Sequence, residues 1–267
     1  MSAAIKLSSP ATREFWEIPV LFEDEHLLAL DKPGGLLTSP DQAEPNRPDL
    51  MTLLHAGIAE KKPWARERNL DYLNNATRLD AETTGVLLLA KNKSALIALG
   101  DSFGNGKGIK KFLALVHGEP AEKQFETDLK LSPHPVKIGL MFVDAQNGKK
   151  AKTRFEVLEN FPRGGYALLK CDPLAGRTDQ IRAHLRHAGL PVVGDQLYGG
   201  KPLWLSRLKK DYRLKPGREE RPLLSRVALH AEELIFPHPV TNETVTIKSE
   251  WPKDFKVAVK YLRQYAK

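Results

Sequence analysis

Cysteine is nearly missing from this chain. Cys171 is the single one in 267 residues, so no internal disulfide can form. A protein that does without disulfides fits a reducing compartment, and the expected location is the cytoplasm. The same shortage removes zinc sites of the Cys-rich kind, and no dinucleotide-binding glycine fingerprint is present. The sequence is thus silent about cofactors, and no metal site is expected. Long apolar runs are missing too: none approaches the roughly 18–20 residues that cross a bilayer. Met1-Ser2-Ala3-Ala4-Ile5-Lys6 lacks the apolar centre of a signal peptide. A triphosphate-binding loop is excluded as well. Gly104–Lys111 has the right composition, but Asp101 stands where the motif needs glycine, and Gly108 where it needs Ser or Thr.

Acids are in short supply. Against 33 Asp and Glu there are 41 Lys and Arg, a formal net charge of +8. Cations neutralise phosphates and release counterions, so such an excess suits a nucleic-acid partner. A basic surface that merely keeps the protein soluble has the same composition. Charge alone does not choose between them.

The chain reads as an N-terminal tail over 1–14, then a single domain over 15–267. Ile18–Phe22 and His26–Leu30 flank Glu23-Asp24-Glu25 and suggest a strand pair. Lys32-Pro33-Gly34-Gly35 breaks the chain. Helices are expected at Leu50–Lys61, at Ser94–Phe103 with Ser94 as cap, and at Thr178–Ala188 with Thr178 as cap. A last helix is expected over Pro252–Tyr265. Strands are expected at Val86–Lys91, Phe112–His117, Lys152–Leu158, Tyr166–Cys171, Leu229–Phe236 and Thr244–Lys248. Strands and helices do not alternate strictly, which favours an α+β fold with a mixed sheet over a doubly wound one. A basic insertion at about 201–226 holds nine Lys or Arg against three acids, with Trp204 and Tyr212 among them. Interleaved aromatics allow base stacking; packing beneath a solvated loop would use the same residues.

Three motifs carry the chemistry. They are Arg78-Leu79-Asp80, Gly176-Arg177-Thr178-Asp179-Gln180-Ile181-Arg182, and Gly194-Asp195-Gln196-Leu197-Tyr198-Gly199. Arg-Leu-Asp alone is weak. Five fixed positions of the last motif arise by chance roughly once in ten thousand chains of this length. In this order, the three motifs resemble the RluA family of pseudouridine synthases. Phe22–Leu36 resembles the family's opening strand and Lys-Pro turn, Lys110–Gly118 the segment bearing its active-site aromatic, and Leu229–Pro239 its closing motif. The resemblance runs from about Ile18 to Lys248. Many relatives carry an N-terminal S4 RNA-binding domain; with only about 17 residues ahead of the match, none is expected here.

The resemblance implies a largely antiparallel, mixed central sheet with an RNA-binding cleft, the pseudouridine synthase fold. It implies isomerisation of specific uridines in structured ribosomal or transfer RNA, without a cofactor. No protein partner and no membrane are implied, and a monomer is expected. The base leaves C1′ through N1 and returns through C5. A carboxylate can start this by adding to C1′ or by taking a proton from C2′; the resemblance gives that role to Asp80. A buried carboxylate needs a cation to stay ionised, and the resemblance assigns Arg182. Phe112 would stack on the flipped uracil, and Arg78 would fill the space it leaves. Lys110, Lys111, Arg177, Gln180, Arg207, Lys209, Lys210 and Arg213 are the expected RNA contacts.

Three positions depart from the family pattern. Phe112 stands where most relatives have Tyr, which removes a phenol O–H. Thr77 and Asp179 stand where His is usual, and Asp179 would bring a negative charge near an RNA cleft. The loss of the phenol keeps a catalytically silent RNA-binding factor in view as an alternative. A hydrolase that releases the base without returning it is a third.

Overall fold

The computed structural model describes residues 4–41, 44–214 and 217–267. In chain order its strands and helices begin with β1 (Ala4–Ser8), β2 (Phe15–Glu23), β3 (Leu27–Lys32), α1 (Leu50–Ala59) and α2 (Pro63–Arg66). Then come β4 (Asn74–Asn75), β5 (Thr84–Ala90), α3 (Lys93–Gly104), β6 (Ile109–His117) and β7 (Gln124–Asp128). β8 (Leu131–Pro133), β9 (Met141–Val143), β10 (Lys152–Phe161), β11 (Tyr166–Pro173) and α4 (Gln180–His187) follow. The chain closes with α5 (Leu205–Leu208), β12 (Leu229–Pro237), β13 (Thr244–Lys248) and α6 (Lys253–Tyr265).

The expected single domain divides into two compact units. One comprises residues up to Lys110 together with Ala231–Glu250, the other Lys111–His230 with Trp251–Lys267. In the first, strands lie in the order β1-β2-β3-β5-β12, with β4 on β5 and β13 on β12. The β1–β2, β2–β3 and β3–β5 pairings are antiparallel. All seven residues of β5 are buried, as its unbroken apolar run requires. Alternate residues of β3 and β5 (Leu27, Ala29, Val86, Leu88) pack against Ala95 and Leu99 of α3 and Phe236 of β12. Ala4–Ser8 departs from the expected tail. It pairs with β2 because Ile5 and Leu7 alternate on one side and are buried.

In the second unit the order is β6-β11-β10-β7, again with antiparallel pairing. Thr153, Phe155 and Val157 alternate toward the interior of β10 while Arg154 and Leu158 face out. Phe255, Ala258, Val259 and Leu262 sit at i, i+3, i+4 and i+7 on α6 and close the same core, with Ile181 and Leu185 of α4. The α+β expectation, with its largely antiparallel sheet, is borne out.

Two expected caps are wrong. α3 is capped by Asn92, whose side chain accepts from the Ala95 N–H, two residues earlier than Ser94. α4 starts at Gln180, and the residue before it, Asp179, is in the left-handed region with φ +51°. Its carboxylate is committed elsewhere, and Thr178 stands one position ahead of the N-cap.

Candidate active site

In the first unit, the segment around Asp80 is fixed from several sides. Thr77 donates its amide to Leu88 O (3.2 Å) and its hydroxyl accepts from the Leu88 N–H (3.0 Å), so this departure from the family pattern ties the loop to β5. Leu79 is buried, and its amide and carbonyl both bond the Thr38 hydroxyl, at 3.2 and 2.7 Å. Lys32 is fully buried and donates its ammonium to the carbonyls of Pro33, Ala81 and Thr83, at 2.8–3.0 Å. The Thr83 N–H closes a turn onto Asp80 O (3.1 Å). Gly35 N–H bonds Ala81 O, and Arg47 bonds both Gly35 O and Glu82. Buried neighbours on either side leave Asp80 half-buried and Arg78 exposed. A carboxylate is thereby presented on a backbone with little freedom.

Gly85 ends the segment at φ +109°, and a Cβ there would run into the Ala231 carbonyl. Lys110 lies in the same unit, its ammonium 4.9 Å from the centre of the Phe103 ring. Burial lowers its pKa.

In the second unit, Arg182 is buried between two carboxylates. Its Nε and Nη2 donate to the two oxygens of Asp195, at 2.7 and 2.9 Å, and Nη1 donates to Asp179 Oδ1 at 2.7 Å. The Tyr198 ring lies 4.8 Å under the guanidinium. The Tyr198 hydroxyl donates to Asp179 Oδ2 (2.9 Å) and accepts from the Met141 N–H (2.9 Å). Burial first, and then the Asp179 charge, push the Tyr198 phenol pKa well up, so it remains a proton donor. The negative charge of Asp179 is thus taken up by Arg182 and Tyr198 instead of facing outward. Gly194–Gly199 is a mere family mark in the sequence; in the structure its Asp195 and Tyr198 hold the arginine. A buried arginine motif followed by a second motif with one acid and one phenol is the signal that could have revealed them.

Gln180 corrects an expected RNA contact. It is buried, its amide donates to Lys152 O and Thr153 Oγ1, and its oxygen accepts from the Arg177 N–H. It anchors the start of α4 to β10 and has no amide hydrogen left for RNA. Arg177 is exposed, with Nε on Lys150 O. Phe112 is half-buried on β6, packed against the core. Lys111 is half-buried beside it.

The basic insertion is pinned at its neck, where Leu203 and Leu224 are buried and bridged. Arg207, Lys210 and Arg213 are exposed, while Lys209 is half-buried, 5.9 Å from the Tyr265 ring. Lys215 lies outside the described residues. Among the described residues, no group of three or more His, Cys, Asp or Glu could hold a metal, and no helix is long and apolar enough to cross a membrane.

A profile described as RNA pseudouridylate synthase matches residues 26–187. The chain belongs to this family. The synthase is of the RluA type. It is 34% identical over 246 residues to ribosomal large subunit pseudouridine synthase C of Escherichia coli strain K12, covering 91% of this chain and 70% of that protein. It is 34% identical over 248 residues to ribosomal large subunit pseudouridine synthase D of Nitrosomonas europaea, covering 92% of this chain and 65% of that protein. Its fold matches human RNA pseudouridylate synthase domain containing 4 with a TM-score of 0.66 at 22% identity, over 91% of this chain and 92% of that one. The synthase is an enzyme that isomerises uridine in RNA.

Proposed function

We propose that this synthase acts on ribosomal RNA of the large subunit, with Asp80 as the catalytic carboxylate and Arg182 as its partner cation. The observation that carries the substrate reading is the 34% identity, over nine-tenths of the chain, to two enzymes named for that subunit. Support for Asp80 comes from its place in Arg-Leu-Asp and from the clamp that Thr38, Lys32 and Thr83 put on its loop. Support for Arg182 comes from its burial and from a bidentate acid that fixes its orientation. A guanidinium is the cation suited to such a position, because it stays charged when buried.

In this reading the target uridine leaves the helix stack, and Asp80 acts at C1′ or C2′ to break the bond to N1. The uracil turns and rejoins C1′ through C5. The C5 proton is lost, N1 gains one, and nothing is oxidised. Phe112 stacks on the base; Arg78 supports the opened helix; Lys110, Lys111, Arg177, Arg207, Lys209, Lys210 and Arg213 face phosphates. The protein works as a monomer in the cytoplasm.

The test is tritium release from ribosomal and transfer RNA transcripts carrying C5-tritiated uridine. Wild type should release tritium from the ribosomal transcript, and Asp80→Asn should release none while still binding it. Near-normal turnover by Asp80→Asn would sink the site assignment. Release from transfer RNA alone would sink the substrate reading.

A further inference from the structure

Two cavities in the second unit differ sharply in charge. The larger, about 1080 Å³, presents five carboxylates against three cations and would repel a polyanion. The smaller, about 550 Å³, lies among β9, the end of α4 and the 3-10 turn Gln196–Tyr198. Its walls carry Lys137, Arg186 and His187, and no Asp or Glu. All three side chains are exposed, and among the described residues no carboxylate lies within ion-pairing distance of Lys137, Arg186 or His187. The remaining lining is largely apolar or aromatic, including Phe142 and the buried Tyr198 that underlies Arg182.

The rim has an unusual tip. Val136 and Ile138 are 81% and 86% exposed on either side of Lys137. The tip is shaped by its own bonds: the Val136 and Lys137 N–H groups donate to His134 Nδ1, and the His134 N–H to Leu140 O. Val136 and Ile138 are the two most exposed of the large hydrophobic side chains among the described residues. They suit a surface that slides beside a nucleic-acid base while the lysine meets a phosphate.

We infer that this cavity is a binding subsite for an unpaired nucleotide of the RNA other than the one that is isomerised. Its phosphate lies between Lys137 and Arg186, and its base lies against Phe142. The volume falls within the roughly 300–1,000 Å³ of small-ligand sites. The cations supply the charge that a phosphate needs, and the acid-free wall removes the repulsion present in the larger cavity. Arg186 is one helical turn from Arg182, and Tyr198 both lines the cavity and underlies Arg182, so the subsite borders the cluster of Arg182, Asp179 and Asp195. The inference rests on the reading of the protein as an RNA-modifying synthase.

The experiment measures binding and turnover with the transcript that supports tritium release. Lys137→Ala/Arg186→Ala should raise Kd about tenfold at physiological salt and lower the salt slope by roughly 0.7 for each single-strand phosphate no longer neutralised. KM should rise in step. Arg186→Lys should keep most of the affinity, because the charge remains. Phe142→Leu, which keeps apolar bulk and removes the ring, should weaken binding with no change in slope. An unchanged Kd and slope in the double variant, with active wild type, overturns this inference alone. A wild type that neither binds nor modifies RNA overturns the functional reading along with it. If the double variant changes only the sedimentation of the protein, the cavity is a contact between copies and the subsite is refuted.

Discussion

Arg182 illustrates how much a single residue depends on its neighbours. A guanidinium buried without acids would be prohibitively costly, and here Asp195 and Asp179 both contribute. Removing one member of such a buried pair typically costs about 3–5 kcal/mol. Asp195→Asn should therefore lower the unfolding free energy extrapolated from a urea titration by an amount in that range, whereas Glu14→Gln at the exposed surface should not change it. Asp179→Asn is a milder test. Asn tolerates the left-handed backbone as Asp does, so the substitution removes charge without adding strain. It should cost about 1–3 kcal/mol through the weakened bonds to Arg182 and Tyr198. A conformational reason for Asp at this position, and not only a charge reason, would show as a larger destabilisation in Asp179→Ala.

At the scale of the element, α4 carries a pH dependence. His184 is fully buried on it, bonded to the Thr153 hydroxyl (2.9 Å), and burial lowers its pKa. His117 on β6 is lowered for the same first cause. The folded protein thus holds both rings neutral to a lower pH than the unfolded chain, whose histidines titrate near about 6.5. Stability is complete above that value and falls as pH drops below it toward the folded pKa. The thermal midpoint should decline from about pH 6.5 downward, and His184→Gln should flatten part of the decline. A midpoint rising in that window would contradict the burial argument. The strand end at Gly85 is as strict: Gly85→Ala should prevent folding, detectable as disappearance of soluble protein, because backbone and not a movable side chain occupies the space.

Long elements were legible because their burial follows the periodicity of their side chains. β5, β10, β11, β12 and α6 fall where apolar runs or helical spacing put them. β7, β8 and β9 are too short, and too polar in part, to stand out, yet β9 lines the cavity beside α4. The motif residues were legible as a group, but their partners were not. That Asp195 clasps Arg182 depends on a contact across thirteen positions that no local pattern encodes. Gln180 shows the reverse error, since a polar residue within a functional motif can be spent entirely on holding its own helix.

For the whole molecule, the excess of eight positive charges is unevenly placed. Arg207, Lys210 and Arg213 project from an insertion whose neck is locked into the core, so they can reach outward without loosening the fold. Replacing all three with Ala should flatten the salt dependence of RNA binding by about 0.9 for each duplex phosphate that is no longer neutralised, with little change in the melting temperature. An unchanged slope would mean that the insertion touches no phosphate.

Burial of Cys171 has a practical consequence. Its side chain has no exposed surface, and burial drives its thiol pKa far upward, so the folded protein has no thiolate to offer an alkylating dye. Any cysteine introduced on the surface becomes the sole reactive handle, with no background to engineer away. Val136→Cys would place a fluorophore on the tip beside the α4 cavity, and the native chain would serve as its own unlabelled control.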